Sequence, residues 1–177
     1  MKEKLTYERL HEALDYDPDT GDFYWIKTLS PAGMKGNKAG NLHNDGYNRI
    51  RIDTVLHKSS RLAFIYQKGY SPENDIDHIN QIKHDDRWCN LREASRQCNV
   101  RNSGVFKNNK SGIKGVYYYP VTKMWQAYIT VDGTKKHLGC FTKKKDAAAA
   151  RLKSEQQNNF TDCLVLSSAS KYLQGLI

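Results

Sequence analysis

The chain has 177 residues, 27 % of them charged, a net charge of +9 and a mean hydropathy of −0.77. This length suits one ordinary domain or two small ones, each with a modest core. No apolar run approaches a membrane span and no N-terminal signal segment stands out, so a chain that stays in the cytoplasm of the cell that makes it is expected.

The charge is unevenly spread. Residues 1–105 hold 16 Lys and Arg against 15 Asp and Glu, whereas residues 106–177 hold 12 against 4. A nearly neutral first part beside a basic second part reads as a working module joined to an anchoring module for a polyanion. The four cysteines, Cys89, Cys98, Cys140 and Cys163, form no C-x-x-C pair. No structural zinc and no required disulfide are therefore expected, and Cys89 and Cys98 read as buried free thiols.

In chain order, Tyr7, Leu10 and Leu14 fall at near-helical spacing, and the run Asp17-Pro18-Asp19-Thr20-Gly21 is a turn signal. Phe23 to Ile26 reads as a strand and Gly33 to Gly40 as a glycine- and lysine-rich loop. Tyr47 to Ile52 alternates with period two, which predicts a half-buried strand with Arg49 and Arg51 on one face. Arg61 to Lys68 reads as a short helix closed by Gly69.

Asp75 to Asn102 concentrates the chemistry. Asp77 and His78 are adjacent, Asn90 follows twelve residues after the histidine, and Asn99 nine further on. A carboxylate and a carboxamide oxygen are hard ligands of the kind Mg²⁺ prefers, and an imidazole can take a proton from water near neutral pH. A strand turns neighbouring side chains to opposite faces, so Asp77 and His78 can serve one site only where the strand ends or twists. Asn99 is a poor helix former in a helix expected over about Ser95 to Asn102.

At Asp77-His78-Ile79-Asn80, Asp85-Asp86-Arg87, Asn90-Leu91-Arg92, Asn99 and Arg101-Asn102, the stretch resembles the HNH nuclease family, in the branch found in phage-borne homing endonucleases. The resemblance implies two short strands and a helix around one divalent metal, most simply Mg²⁺, with Mn²⁺ as an alternative. It makes His78 the general base, Asp77 and Asn99 the metal holders and Asn90 the pin of the loop behind the histidine. Asp86 departs from the commoner Asn of the Asp-Asn-Arg step. Ser60 stands where many relatives have His, a contact then missing or supplied elsewhere, as by His57. Arg87, Arg92, Arg101 and Asn102 are candidates for DNA contacts near the site.

Gly104 to Gly112 is polar with glycine at both ends and reads as a boundary. Beyond it come three strand-like runs, with Asp132-Gly133 as the hairpin signal, and an alanine-rich helix over Lys144 to Asn159. At Lys114-Gly115-Val116, Trp125 with Ala127 and Ile129, Leu138 to Phe141 and this helix, the chain resembles the APETALA-type (ethylene-response-factor) DNA-binding domain. That resemblance implies a sheet lying in the major groove of duplex DNA with a helix behind it. Alternation turns Val116, Tyr118, Trp125, Ala127, Ile129, Leu138 and Phe141 towards the helix. It turns Tyr117, Tyr119, Tyr128, Thr130, Lys135 and His137 outward, with Lys114 beside them. Tyrosines and lysines there, in place of arginines that read guanine bidentately, imply more phosphate binding and stacking than base reading.

The expectation is an α+β protein: an HNH module over 1–103 with a ββα-metal core at about 75–103, a linker at 104–110, a DNA-binding sheet on one helix over 111–160 and a tail over 161–177. The expected activity is metal-dependent hydrolysis of duplex DNA, with nick or double-strand break, oligomeric state and the role of the tail open. The alternatives are a DNA-binding regulator on an inactive nuclease fold and a nonspecific or structure-specific nuclease.

Overall fold

The computed structural model describes residues 5–29, 31, 33–164 and 166–177. They form two compact units, the first ending at Asn99 and the second running Val100–Ile177. The division falls within a short helix, upstream of the 104–110 stretch.

In the first unit, α1 (Tyr7–Ala13) starts at Thr6, whose hydroxyl accepts from the Arg9 amide at 3.2 Å and so satisfies one of the amides a helix start leaves unpaired. The helix passes directly into β1 (Leu14–Tyr16), which pairs antiparallel with β2 (Phe23–Trp25). Period two buries Leu14, Tyr16, Phe23 and Trp25 and leaves Asp15 and Tyr24 outside. β3 (Asn41–Leu42), β4 (Asn48–Ile52) and β5 (Val55–Lys58) form an antiparallel sheet in that order. Ile50 and Ile52 are buried and Arg51 is exposed.

α2 (Ser59–Lys68) follows β5 without a loop and packs Leu62, Ala63 and Ile65 into the core. It ends at Gly69, at φ 79° and donating to the Ile65 carbonyl, a left-handed stop that glycine reaches without strain. Ser59 and Ser60 are buried in its first turn, so the helix opens two residues ahead of the predicted Arg61. The core gathers Leu10, Leu14, Ile50, Ile52 and Leu62, each contributing about 1.5–3 kcal/mol by leaving water.

β6 (Asp75–His78) and β7 (Leu91–Ala94) pair antiparallel, a 3₁₀ turn (Trp88–Asn90) precedes β7, and α3 (Arg96–Asn102) follows it. Ser95 caps α3, its hydroxyl accepting from the Cys98 amide at 3.2 Å. A strand–strand–helix unit thus spans the stretch that carries the chemistry.

In the second unit β8 (Val116–Tyr119), β9 (Met124–Val131) and β10 (Thr134–Phe141) form an antiparallel sheet with β9 central. Asp132 and Gly133 both take positive φ, as a two-residue hairpin turn requires. α4 (Lys144–Gln157) lays Ala147 and Ala148 against Val116 and Ala127. The expectation of one backing helix is corrected: α5 (Ser168–Leu173), from the stretch read as a tail, adds Ala169, Tyr172 and Leu173 to the same core. Alanines alone are too small to fill the space under three strands, and α5 supplies the missing volume. Tyr118 is corrected too; it is 48 % exposed, its ring 5.1 Å from that of Trp125. Cys89 is free and exposed rather than buried, and Cys98 is disulfide-bonded rather than a free thiol.

Candidate active site and nucleic-acid interface

His78 is the last residue of β6. Asp77 lies opposite Arg92 across the β6–β7 ladder and His78 opposite Leu91. His78 Nε2 is 2.9 Å from Asp86 Oδ1, with the two side chains only 5 % and 2 % exposed. A carboxylate only accepts, so Nε2 carries the hydrogen and the proton-accepting lone pair falls to Nδ1.

Asp86 is held from several sides. Asn48 Nδ2 donates to its Oδ2 at 3.1 Å, and the Tyr16 hydroxyl donates to its main-chain carbonyl at 2.6 Å. Burial pushes the Tyr16 phenol well above its ordinary pKa, with Asp86 adding to the effect. The Asp17–Gly21 turn packs on the same loop: the Trp88 amide donates to Pro18 O at 2.9 Å. A Cβ on Gly21 would meet the Arg87 nitrogen at 2.5 Å, so only glycine fits this approach.

Asn90 spans the loop after the histidine. Its Oδ1 accepts from the Asn80 amide at 2.9 Å and its Nδ2 donates to Asp85 O at 2.7 Å. Asp85 in turn accepts from Asn80 Nδ2 and from Arg87 Nε and Nη2, at 2.6–2.7 Å. The Arg87 guanidinium, followed by Asn80, brings the Asp85 carboxyl down to about 2.

Of the metal-holder candidates, Asp77 lies on β6 and Asn99 on α3. Asp75 and Asp77 are two apart and share one face of the strand, and Asn99 Nδ2 donates to Asp75 Oδ2 at 3.3 Å. Asp77 Oδ2 accepts from Arg92 Nε and Nη2 at 3.0 and 2.8 Å. Among the described residues no three His, Cys, Asp or Glu side chains group as a metal cage. One carboxylate and one carboxamide suit an ion of the magnesium type, which keeps most of its shell for water and phosphate oxygens, and do not suit an all-protein cage.

The other candidates spread differently. The guanidinium of Arg87 lies on Asp85 and that of Arg92 on Asp77. Asn102 is buried, which corrects the expectation that it reaches DNA. Lys114 is corrected as well: its Nζ donates to Val100 O at 2.7 Å and Ser103 Oγ at 2.8 Å, and burial lowers its pKa. It caps the carbonyls at the end of α3, which no spacing in the sequence announces. Tyr117, Tyr119, Thr130, Lys135 and His137 are exposed on the sheet and Tyr128 is half-buried. Lys135 Nζ lies 4.2 Å from the centre of the Tyr128 ring, whose far neighbour, His137, is at 4.9 Å. Sequence reasoning missed Tyr16, Gly21 and Asn48 as supports of the site, and Asp86 as the partner of His78; only the Asp86 departure offered a signal.

Residues 57–101 match the HNH endonuclease family model. Among solved structures, one titled "DNA binding and cleavage by the HNH homing endonuclease I-HmuI" is 25 % identical, covers 71 % of this chain and 71 % of its own, and superposes with a TM-score of 0.41. No curated protein matches the chain. Among the described residues no helix is long and apolar enough to cross a membrane.

Proposed function

We propose that the chain is a metal-dependent endonuclease that hydrolyses phosphodiester bonds of duplex DNA, with His78 as its general base. The observation that carries this reading is the buried His78–Asp86 pair at 2.9 Å, lying inside the segment that matches the HNH endonuclease model. Asp86 and the loop pinned by Asn90 hold the imidazole, so Nδ1 takes the proton of the attacking water. The water oxygen bonds to phosphorus and the bond to the 3′ oxygen breaks; that oxygen takes a proton from solvent, leaving 5′-phosphate and 3′-hydroxyl ends. Asp77 and Asn99 would hold a divalent ion of the magnesium type, which supplies charge stabilisation at the phosphate and the leaving oxygen. One such site cuts one strand, so a double-strand break needs a second copy or a second event.

The sheet of the second unit is the DNA anchor in this reading, resembling the APETALA-type domain. Its support is the 12-to-4 excess of basic over acidic residues after position 105 and the exposed row Tyr117, Tyr119, Thr130, Lys135 and His137. Phosphate contacts position the protein and stacking adds affinity without reading sequence.

A second reading has its own observation. The Arg92 guanidinium on Asp77 Oδ2 places a fixed positive charge where a metal would bind, as suits a DNA-binding regulator without useful cleavage. Supercoiled plasmid incubated with wild type and with His78→Ala, in Mg²⁺ and in EDTA, separates the two. Metal-dependent nicking that disappears in His78→Ala, with gel-shift binding retained, supports the nuclease. Binding without nicking in Mg²⁺ and Mn²⁺ supports the regulator.

A further inference from the structure

Within the second unit, part of the outward face of the sheet folds into a cavity of about 300 Å³. Tyr117, Tyr128 and Lys135 form its sheet wall; Phe106 and Phe160 supply two more rings and Arg101 a further cation. Among the described residues no carboxylate lines it. The size is at the lower end of small-molecule sites, which run from about 300 to 1,000 Å³.

The wall is already a stack of rings and cations. Lys135 Nζ lies 4.2 Å from the Tyr128 ring centre and 6.0 Å from that of Tyr117, and the Arg101 guanidinium lies 3.9 Å over Phe160. Neither Arg101 nor Lys135 enters an ion pair among the described residues. Lys114, although at the cavity, is committed to main-chain carbonyls. Arg151, also at the cavity, is paired with Glu155, so the anion-binding capacity rests on Lys135 and Arg101. Phe106 is 73 % exposed, a large ring at the mouth with nothing covering it.

Flat aromatic faces, unpaired cations and the absence of carboxylates suit a planar ring that carries a negative group. A base pair is too wide for this space and presents its ring faces only to its neighbours in the stack. We infer that this cavity takes one nucleotide, its base stacked on Phe106 at the mouth and its phosphate on Lys135 and Arg101. Taken from DNA, it is a base standing out of the helix; the same chemistry would accept a free nucleotide. The inference rests on the DNA-binding reading and adds a preference that a major-groove sheet lacks: unpaired or splayed-out bases bind more tightly than intact duplex. Stacking on aromatic side chains tolerates any base, so no sequence preference follows.

The test uses the full chain in EDTA, so that nothing is cut, and hairpins carrying 2-aminopurine, either paired or as a single unpaired base. The expected result is about tenfold tighter binding of the unpaired form, with its fluorescence quenched on stacking. Phe106→Ala should lose that preference and the quench while binding the paired hairpin as before; this side chain is too exposed for its loss to unfold the core. Equal binding of both hairpins with unchanged fluorescence and no quench of the free nucleotide, or a Phe106→Ala protein that keeps the preference, overturns the inference and leaves the DNA-binding reading standing. Failure to bind either hairpin overturns both. 2-Aminopurine deoxyriboside monophosphate in parallel decides the source. If it is quenched while the hairpins bind alike, the site belongs to free nucleotides.

Discussion

At the residue scale, the Asp86 carboxylate decides the chemistry available to His78. Asn48 already donates to one oxygen of Asp86. In Asp86→Asn that position must stay an acceptor, so the new NH₂ group faces His78 Nε2. The imidazole proton then moves to Nδ1, the atom that accepts from water in the proposed mechanism. Asp86→Asn is expected to lower nicking by about 10–100-fold with DNA binding retained, and ¹⁵N shifts of His78 should report the change of tautomer. An unchanged tautomer would sink this account. His78→Ala should cost about 10²–10⁴-fold in nicking rate. Gly115 tests packing alone. At φ 78°, an added Cβ would lie 2.4 Å from Tyr128 O and 2.9 Å from Arg151 Nη1, so Gly115→Ala should destabilise the second unit by at least about 1–3 kcal/mol in thermal melts.

At the element scale, the alanine-rich helix α4 carries a buried ion pair. Arg151 Nε donates to Glu155 Oε1 at 2.8 Å, and Arg151 Nη1 to Tyr128 O, tying the helix to β9. Among the described residues Glu155 Oε2, which is buried, has no hydrogen-bond partner, which reduces the net worth of the pair. Glu155→Ala strands the guanidinium and should cost about 3–5 kcal/mol. The double variant Arg151→Met with Glu155→Leu should cost less than that single change in urea titrations. A double variant worse than Glu155→Ala would mean that the pair is strongly stabilising.

At the scale of the whole molecule, acid and salt act on different groups. Burial holds His57 below its ordinary 6.5, with Asp53 opposing. The unfolded chain therefore binds the proton first, and stability is lost as pH falls through about 6.5. Asp85, brought down to about 2 by Arg87, contributes stability above its ordinary 3.8 that is lost between there and about 2. Urea midpoints should fall in both windows, with His57→Gln flattening the first and Arg87→Gln the second. An unaltered profile in either variant would assign the loss elsewhere. For DNA binding, the basic surplus after residue 105 implies counterion release. Affinity should drop about 10³-fold between 50 and 200 mM salt if six phosphates are contacted, and a flat salt response would exclude an electrostatic anchor.

The sequence by itself placed the strand–strand–helix stretch around Asp77, His78, Asn90 and Asn99 through its resemblance to the HNH nuclease family. It likewise placed the hairpin at Asp132-Gly133, whose positive φ values suit those residues, and the break in charge near residue 105. Only the tertiary structure decided who faces whom. Asp86 as the partner of His78 depends on Tyr16, Gly21 and Asn48, which reach it from 38 to 70 residues away or through a close main-chain approach. Lys114 became a cap and the last seventeen residues supplied a second helix for the same reason. A long side chain and a short helix take their place from the space that other elements leave, and that space has no period to read in the chain.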